Sequence, residues 1–339
     1  MMDWKNLLNS PRVLLVADLE PALGQRFQPT GFADLGAAEY ATPDGSKRML
    51  LVESAQSVAN RLEKTCLDGD GPDIAPDLSG LPYVAATLRG PEGTVRTSSL
   101  VEAHRIGSPY FLLNKQFKST VADRMAYNAK RPLDWKKIYE TLFHYDPNSL
   151  IHGVFLSLLE GGRVRTPRAL TGFIEAENVQ PVVSGGVKNS PVDPKGELQV
   201  ADSDPGEKGI YSNVPYARVE YVASSITAYF NLDLALIRGY GLPETATHLL
   251  MALALLKVRR FLGAHLRLRT ACDLRLRADV RSKAPIGFVL SEESVLLEDV
   301  KKGIAGCGEL FAKPPVTELE TVVKIVRKKE DQAAGASAS

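Results

Sequence analysis

The chain has 339 residues, with 41 Lys and Arg against 40 Asp and Glu, and a formal net charge of +1 at pH 7. Hydrophobic residues make up 44% and charged residues 24%, which is typical of soluble globular proteins. This balance excludes a protein that is basic over its whole surface, so any nucleic-acid site must be local. The length is enough for one large elaborated domain or two ordinary ones.

The cysteines and the apolar segments indicate the cellular compartment. Cys66, Cys272 and Cys307 lie far apart and form no CxxC or CxxH spacing, which argues against a zinc site and a disulfide framework. Residues 1–11 lack the apolar core of a signal peptide, and the most apolar segment, residues 248–256, is too short to span a bilayer. We therefore expect a cytoplasmic protein without a membrane partner.

The hydrophobic pattern of the N-terminal part predicts two strands and a helix. Residues 12–19 read as a buried strand, followed by a loop rich in glycine and proline over residues 20–40. A short apolar run at residues 49–52 ends directly before a helix at about residues 55–66. Residues 68–93 are crowded with Gly, Pro and Asp, which indicates an insertion with little regular structure.

The rest of the chain also mixes helices and strands. A second interruption, residues 181–214, is rich in Gly and Pro and long enough to be functional. Because strands and helices alternate with long excursions, the pattern favours an α+β domain with insertions over a βαβ ladder. The other predicted elements are helices at 133–143, 149–159, 246–262 (buried) and 318–329, and strands at 164–179 and 216–236.

The start of the helix at residues 55–66 has the character of an anion site. Ser54 is placed to cap the helix, and free backbone N–H groups at a helix start suit a phosphate. An ordinary amphipathic surface helix explains the same pattern. Its apolar face carries Ala55, Val58, Ala59 and Leu62, and a second face carries Ser57, Asn60, Arg61 and Lys64.

The strongest local charge lies in residues 257–283, which contain nine basic and two acidic residues, a difference of +7. Residues 266–269 and 274–277 alternate Leu and Arg, which in strands puts leucines on one face and arginines on the other. Such a sheet is either a cationic platform for phosphates or a solvated face paired with carboxylates of the insertions. A second basic segment is residues 161–168.

Catalytic patterns are weak. The five histidines form no HExxH motif, and no GxSxG elbow or Walker loop occurs. Asp18, Asp34 and Glu53 are carboxylates near the helix start, where they could hold the metal of a nuclease. A structural role explains each of them more simply: Asp18 as a strand-end residue, Asp34 as a turn residue and Glu53 as a partner for Arg61 or Arg48. The sequence therefore predicts no catalytic residue, no metal and no cofactor.

Two blocks resemble a known family, the RAMP-type backbone subunits of CRISPR Cascade complexes called the "Cas-seven" family. Residues 26–36 (RFQPTGFADLG) and residues 52–63 (VESAQSVANRLE) are similar to the version found in type I-U, also called I-G, systems. The second block contains the S-x-Q-S motif that opens the first helix in that family. Softer similarity runs through residues 163–173, 185–191 and 216–236.

The resemblance implies a modified RNA-recognition (ferredoxin-like) palm in a single domain over residues 1–330, with a disordered tail at 331–339. It implies fingers at 68–148 and a thumb hairpin at 181–214. The implied partners are CRISPR RNA, target DNA through the guide, other copies of the chain and other Cascade subunits. Type I backbones of this family are not expected to cut RNA.

Combining the resemblance with the basic segments gives a set of expected RNA-binding residues. The rival interpretations are an endoribonuclease that matures the CRISPR transcript and a metabolic enzyme with an anionic substrate. The expected RNA-binding residues are Arg26, Gln28, Ser54, Gln56, Ser57, Asn60, Arg61, Arg163, Arg165, Lys188, Asn189, Arg259, Arg260, Arg267 and Arg269.

Overall fold

A computed structural model of the chain describes residues 7, 9–32, 36–195, 197 and 213–324. Predictions about Asp34, about most of the segment between the thumb strands and about the 331–339 tail lie outside these residues. Within the described part, no helix combines the length and the apolar character needed to cross a membrane.

Seventeen strands have described bounds. They are β1 (Arg12–Pro21), β2 (Gly31–Phe32), β3 (Gly36–Ala37), β4 (Glu39–Ala41), β5 (Arg48–Glu53), β6 (Tyr83–Gly90), β7 (Gly93–Ser98), β8 (Val154–Phe155), β9 (Arg165–Thr166), β10 (Leu170–Glu177), β11 (Gln180–Lys188), β12 (Val214–Val222), β13 (Ser225–Asp233), β14 (Arg267–Arg269), β15 (Cys272–Leu276), β16 (Arg281–Ala284) and β17 (Val316–Val322).

Eight α-helices have described bounds, and short 3-10 turns occur at Pro76–Leu78 and Arg105–Gly107. The helices are α1 (Ala55–Lys64), α2 (Pro109–Leu112), α3 (Lys115–Arg124), α4 (Trp135–Tyr145), α5 (Pro147–His152), α6 (Leu234–Gly239), α7 (Glu244–Ala264) and α8 (Glu293–Gly306).

The largest sheet has the order β14-β15-β1-β13-β10-β5-β4, and β16 also pairs with β1. β1 is antiparallel to both β13 and β15, and β10 is antiparallel to β13. In chain order, β1, α1, β10, β13, α7 and β15 form a ferredoxin-like β-α-β-β-α-β unit whose strands are arranged fourth, first, third, second. The predicted α+β class with an RNA-recognition-type palm is therefore confirmed.

The core lies between this sheet and the helices α1 and α7. Alternation along β1 and β13 buries one face of each strand, as a half-buried sheet requires. Helix α1 buries Val58, Ala59 and Leu62, as its spacing predicted, whereas Ala55 in its first turn is exposed. Helix α7 is buried on nearly every side, which confirms the predicted buried helix at 246–262.

Three sequence-based assignments are wrong. The 68–93 segment contains a regular strand, β6, which pairs with β7 and, in parallel, with the C-terminal β17. The helix expected at 318–329 is instead β17 over its first residues, where Glu318 and Glu320 alternate along one face and pair with Arg96 and Arg89. The helix expected at 149–159 ends at His152, because Gly153 has φ +76° and ψ 152°.

A two-stranded ribbon, β11 with β12, stands where the thumb hairpin was expected. Its register runs from Gln180 opposite Val222 to Lys188 opposite Val214. One face of the ribbon carries Val183 and Val187, and Val183 is 79% exposed. Exposed valines on a projecting ribbon are typical of a contact surface.

We expect Gly153→Ala to lower the free energy of unfolding by about 3 kcal/mol, because its backbone region is open essentially to glycine alone. A Cβ there would also lie 2.8 Å from the Thr166 carbonyl oxygen. Gly161 has the same φ of +76° but no atom within 3.7 Å of its Cβ position, so Gly161→Ala is the matched control, with a loss of about 1 kcal/mol. Urea denaturation measures both. Equal losses of unfolding free energy in the two variants would contradict a collision between the new Cβ atom and the Thr166 oxygen.

Candidate nucleic-acid interface

The carboxylate of Glu53, at the end of β5, is completely buried. It accepts hydrogen bonds from the Ser57 hydroxyl and from Nε of Arg61, the latter at 2.7 Å, and it forms an ion pair with Arg269. A buried carboxylate keeps its charge only when cations and hydrogen bonds compensate for the lost water. The expected pairing of Glu53 with Arg61 is confirmed, whereas Arg48 pairs with Glu39.

The two arginines around Glu53 also bind backbone carbonyls of other segments. Nη1 of Arg269 donates to the Gln28 oxygen at 2.9 Å and to the Val52 oxygen at 3.2 Å. Arg61 donates to the Leu268 oxygen on β14. Burial lowers the pKa of both guanidinium groups from their ordinary value, although arginine stays protonated in proteins. The Gln28 loop, β5, α1 and β14 are thereby held together.

The first turn of α1 has its predicted cap and a polar outer side. Ser54 is the N-cap, and its hydroxyl accepts from the Ser57 backbone N–H at 3.2 Å. Nε2 of Gln56 donates to Oδ1 of Asn60 at 3.0 Å, and Arg168 donates to the Gln56 side-chain oxygen. The structure therefore divides the predicted polar face, because Ser57 turns toward Glu53 while Gln56 and Asn60 are exposed.

A cavity of about 590 Å³ opens beside this cluster. The Gln28–Thr30 loop, Tyr221 and Arg269 line it. The cavity therefore brings together two of the predicted RNA-binding residues, Gln28 and Arg269, at the end of the β11–β12 ribbon that contains Tyr221. Gln28 also accepts a weak hydrogen bond from Arg218, at 3.5 Å.

The Leu and Arg alternation on β14 and β15 is confirmed. Leu268 and Leu274 are buried, whereas Arg267 and Arg275 are exposed. Most cations of the 257–283 segment nevertheless have carboxylate partners, although only Asp77 among these partners belongs to an insertion, where the alternative interpretation placed them. Those partners are Glu292 for Arg259, Asp77 and Glu293 for Arg260, Glu53 for Arg269, Glu20 for Arg275 and Asp18 for Arg281.

The remaining predicted residues are spread around this centre. Arg26 pairs with Glu220 at 3.2 Å, and Nη1 of Arg163 donates to two backbone oxygens, each at 2.8 Å. Lys188 ends β11, and Asn189 follows it; both are exposed. Whether any of the fifteen residues binds RNA stays a prediction.

Sequence reasoning missed a second cationic cavity, of about 470 Å³, next to the outer side of α1. Arg165, Arg168, Phe155 and His152 line it. The basic segment 161–168 indicates the arginines in the sequence, but Phe155 lies inside the stretch 149–159 that the sequence predicts to be a helix. In the part of the chain that the structure describes, neither Arg165 nor Arg168 pairs with a carboxylate.

A family model described as "CRISPR-associated protein GSU0053" matches residues 13–181, about half of the chain. The match contains β1, the Gln28 loop, Glu53, the start of α1 and the 161–168 segment. The chain belongs to this CRISPR-associated family. Its membership agrees with the resemblance in residues 26–36 and 52–63.

Two solved structures illustrate the similarity of this CRISPR-associated protein to others. One is titled "CRISPR RNA-guided surveillance complex, pre-nicking" (14% identity, TM-score 0.42, covering 83% of this chain and 78% of that chain). The other is Csc2 of Thermofilum pendens (10% identity, TM-score 0.31, covering 88% and 76%). Both TM-scores are below 0.5, so the fold assignment rests on the strand order above. No curated protein matches.

We expect Arg269→Ala in this CRISPR-associated protein to lower the free energy of unfolding by about 3 kcal/mol, because it leaves a buried carboxylate short of one cation. Arg275→Ala, which removes an exposed ion pair from the neighbouring strand, is the control and changes stability by less than about 1 kcal/mol. Chemical denaturation of both variants measures the difference. Equal stability of the two would show that Arg61 alone compensates Glu53.

Proposed function

We propose that the chain is a guide-RNA-binding backbone subunit of a type I-U (I-G) Cascade complex, of the RAMP type. The observation that carries this proposal is the Glu53 cluster, which brings the S-x-Q-S helix start, the Gln28 loop and the arginine-bearing strand β14 to one surface. Each of these three segments was expected to bind RNA. A strand of RNA laid across them meets guanidinium, amide and backbone N–H groups.

Binding in this proposal depends on the RNA backbone. The exposed Arg267 and Gln56 and the free N–H groups at the start of α1 suit phosphates. Ribose hydroxyls fit the amides of Gln56 and Asn60, which both donate and accept. Because phosphates and hydroxyls repeat at every nucleotide, such a subunit serves guides of any sequence.

The proposed partners follow from this role. CRISPR RNA binds the palm, target DNA is reached through the guide, and other copies of the chain and other Cascade subunits complete a cytoplasmic complex. The β11–β12 ribbon, whose valines are exposed, is the proposed contact with the next copy.

A catalytic role has less support than a binding role. His104 and His152 border the same cationic cavity, which is the arrangement that an endoribonuclease would need. His152 is fully buried, however, and burial together with Lys257 holds its pKa well below the ordinary value, so its ring is neutral at neutral pH and is not the imidazolium that a general acid needs. We therefore propose a non-enzymatic subunit.

We expect the purified chain to bind single-stranded RNA, and Arg267→Ala to reduce the slope of log affinity against log salt by about 0.7, the loss of one phosphate contact. Arg89→Ala, an exposed arginine of the β6–β7 sheet paired with Glu320, is the charge-matched control and keeps the slope. Fluorescence anisotropy at several salt concentrations measures it. An Arg267→Ala slope equal to the wild-type slope would contradict the proposed contact between Arg267 on β14 and a phosphate.

The same samples distinguish the rival function. RNA that carries the CRISPR repeat is incubated with the protein, with and without Mg²⁺, and then separated on a denaturing gel. The proposal requires intact RNA under both conditions. Specific cleavage that His104→Ala abolishes would establish the endoribonuclease instead.

We expect Val183→Asp with Val187→Asp to abolish ordered multimers on long RNA, because two charges on the apolar face oppose burial against another copy. Ser184→Asp adds a charge to the opposite face of the same ribbon and is the control. Light scattering after size exclusion measures the mass per RNA. Multimers of the double variant with wild-type mass would exclude this face as the contact.

A further inference from the structure

The second cationic cavity lies between the β8–β9 hairpin and the 3-10 turn Arg105–Gly107. In the hairpin, Val154 is opposite Thr166 and Phe155 is opposite Arg165. Two glycines allow the close approach of the surrounding backbone. A Cβ on Gly107 would lie 2.7 Å from the Phe155 oxygen, and one on Gly153 would lie 2.8 Å from the Thr166 oxygen.

The wall of the cavity has an excess of positive charge. Arg105 is fixed by a two-pronged pair with Glu63, at 2.6 and 2.8 Å, and by a bond to the Gly153 oxygen at 2.9 Å. Arg165 and Arg168 add two guanidinium groups that form no ion pair with a carboxylate of the described residues, although Glu63 acts on Arg168 from a longer distance. Such an excess favours an anion, and planar guanidinium groups favour phosphate.

A buried histidine borders the same cavity with one unused nitrogen. His152 is 1% exposed, and its Nε2 lies 2.9 Å from Nζ of Lys257, which is equally buried. Because an ammonium group only donates, Nε2 accepts and the ring proton of the neutral histidine is on Nδ1. Nδ1 has no hydrogen-bond partner among the described residues. An unused buried donor is costly, which points to an acceptor that binds there.

Phe155 gives the cavity a flat apolar side. Its side chain is 41% exposed, and Cζ of Arg165 lies 5.0 Å from the ring centre. Exposed aromatic rings beside arginines are the surfaces on which unpaired bases stack in single-stranded nucleic-acid sites. One cavity thus combines donors for a phosphate with a platform for a base.

We propose that this cavity binds one nucleoside phosphate, with Arg168 and His152 supplying donors to the phosphate and Phe155 with Arg165 stacking on the base. Arg168 also contacts Gln56 on the outer side of α1, so a strand bound there reaches the cavity directly. The source is either one nucleotide of a bound strand, in which case the inference rests on the proposed function, or a free nucleotide.

Photochemical crosslinking with 5-iodouridine tests this proposal on the full chain. One probe is a uridine 12-mer with a single 5-iodouridine, and the other is 5-iodouridine 5′-monophosphate. After irradiation, peptide mass spectrometry locates the labelled residue. We expect the label on Phe155, its loss in Phe155→Leu, and about fivefold weaker labelling in Arg168→Ala. Phe173→Leu is the matched control, because Phe173 is also a partly exposed aromatic residue, on the palm sheet.

The outcomes separate this inference from the proposed function. Labelling by the 12-mer alone identifies a nucleotide of a strand, and labelling by the monophosphate identifies a free nucleotide; both support the cavity. Salt-dependent RNA binding with the label elsewhere, or a label on Phe155 that survives in Arg168→Ala at full strength, overturns the cavity and leaves the proposed function standing. Labelling by the monophosphate without any RNA binding supports the cavity and overturns the proposed function. No labelling by either probe overturns the inference.

Discussion

The pairing of one buried carboxylate with two arginines holds the candidate RNA-binding surface together. A buried carboxylate without a cation partner would destabilise the fold by several kcal/mol, so the positions of Arg61 and Arg269 beside Glu53 stabilise the folded state. Since each of them also binds a carbonyl of a different segment, the charge requirement fixes the Gln28 loop and β14 against α1. Arg61 and Arg269, which the sequence predicted to bind RNA, therefore hold the segments of this surface in place.

Neutralisation by carboxylates divides the arginines into two groups. Arg260 and Arg281 belong to the most basic segment of the chain, yet both are held in ion pairs. Arg165, Arg168 and Arg267 have no carboxylate partner among the described residues. These three arginines lie on β9, just after it and on β14, and they add positive potential at those places.

Local patterns made part of this architecture predictable. The Ser54 cap, the apolar stripe of α1 and the period-two ribbon at Leu266–Arg269 each depend on neighbours within a few residues, and all three are confirmed. The partners of Glu53 were only half predictable, because Arg61 is eight residues away in sequence whereas Arg269 belongs to the distant strand β14. The parallel pairing of β6 with β17 is equally distant in sequence. No local signal marks such pairings, so a strand flanked by glycine and proline was read as an irregular insertion.

The distribution of charge also bears on which side of the palm binds RNA in the proposed function. RNA-recognition folds ordinarily stack bases on the open face of the sheet. Here that face has one aromatic pair, Phe173 and Tyr229, with ring centres 5.1 Å apart, but Asp18 and Glu175 lie in the adjacent row. Glu175 beside the rings opposes a phosphate chain, whereas Asp18 is paired with Arg281 and Nζ of Lys283 lies 5.9 Å from the Tyr229 ring centre. Arg165, Arg168 and Arg267, which have no carboxylate partner among the described residues, lie instead on β9, just after it and on β14. A surface of this kind holds a strand by its shape and charge, and it leaves most bases free to pair with a complementary strand.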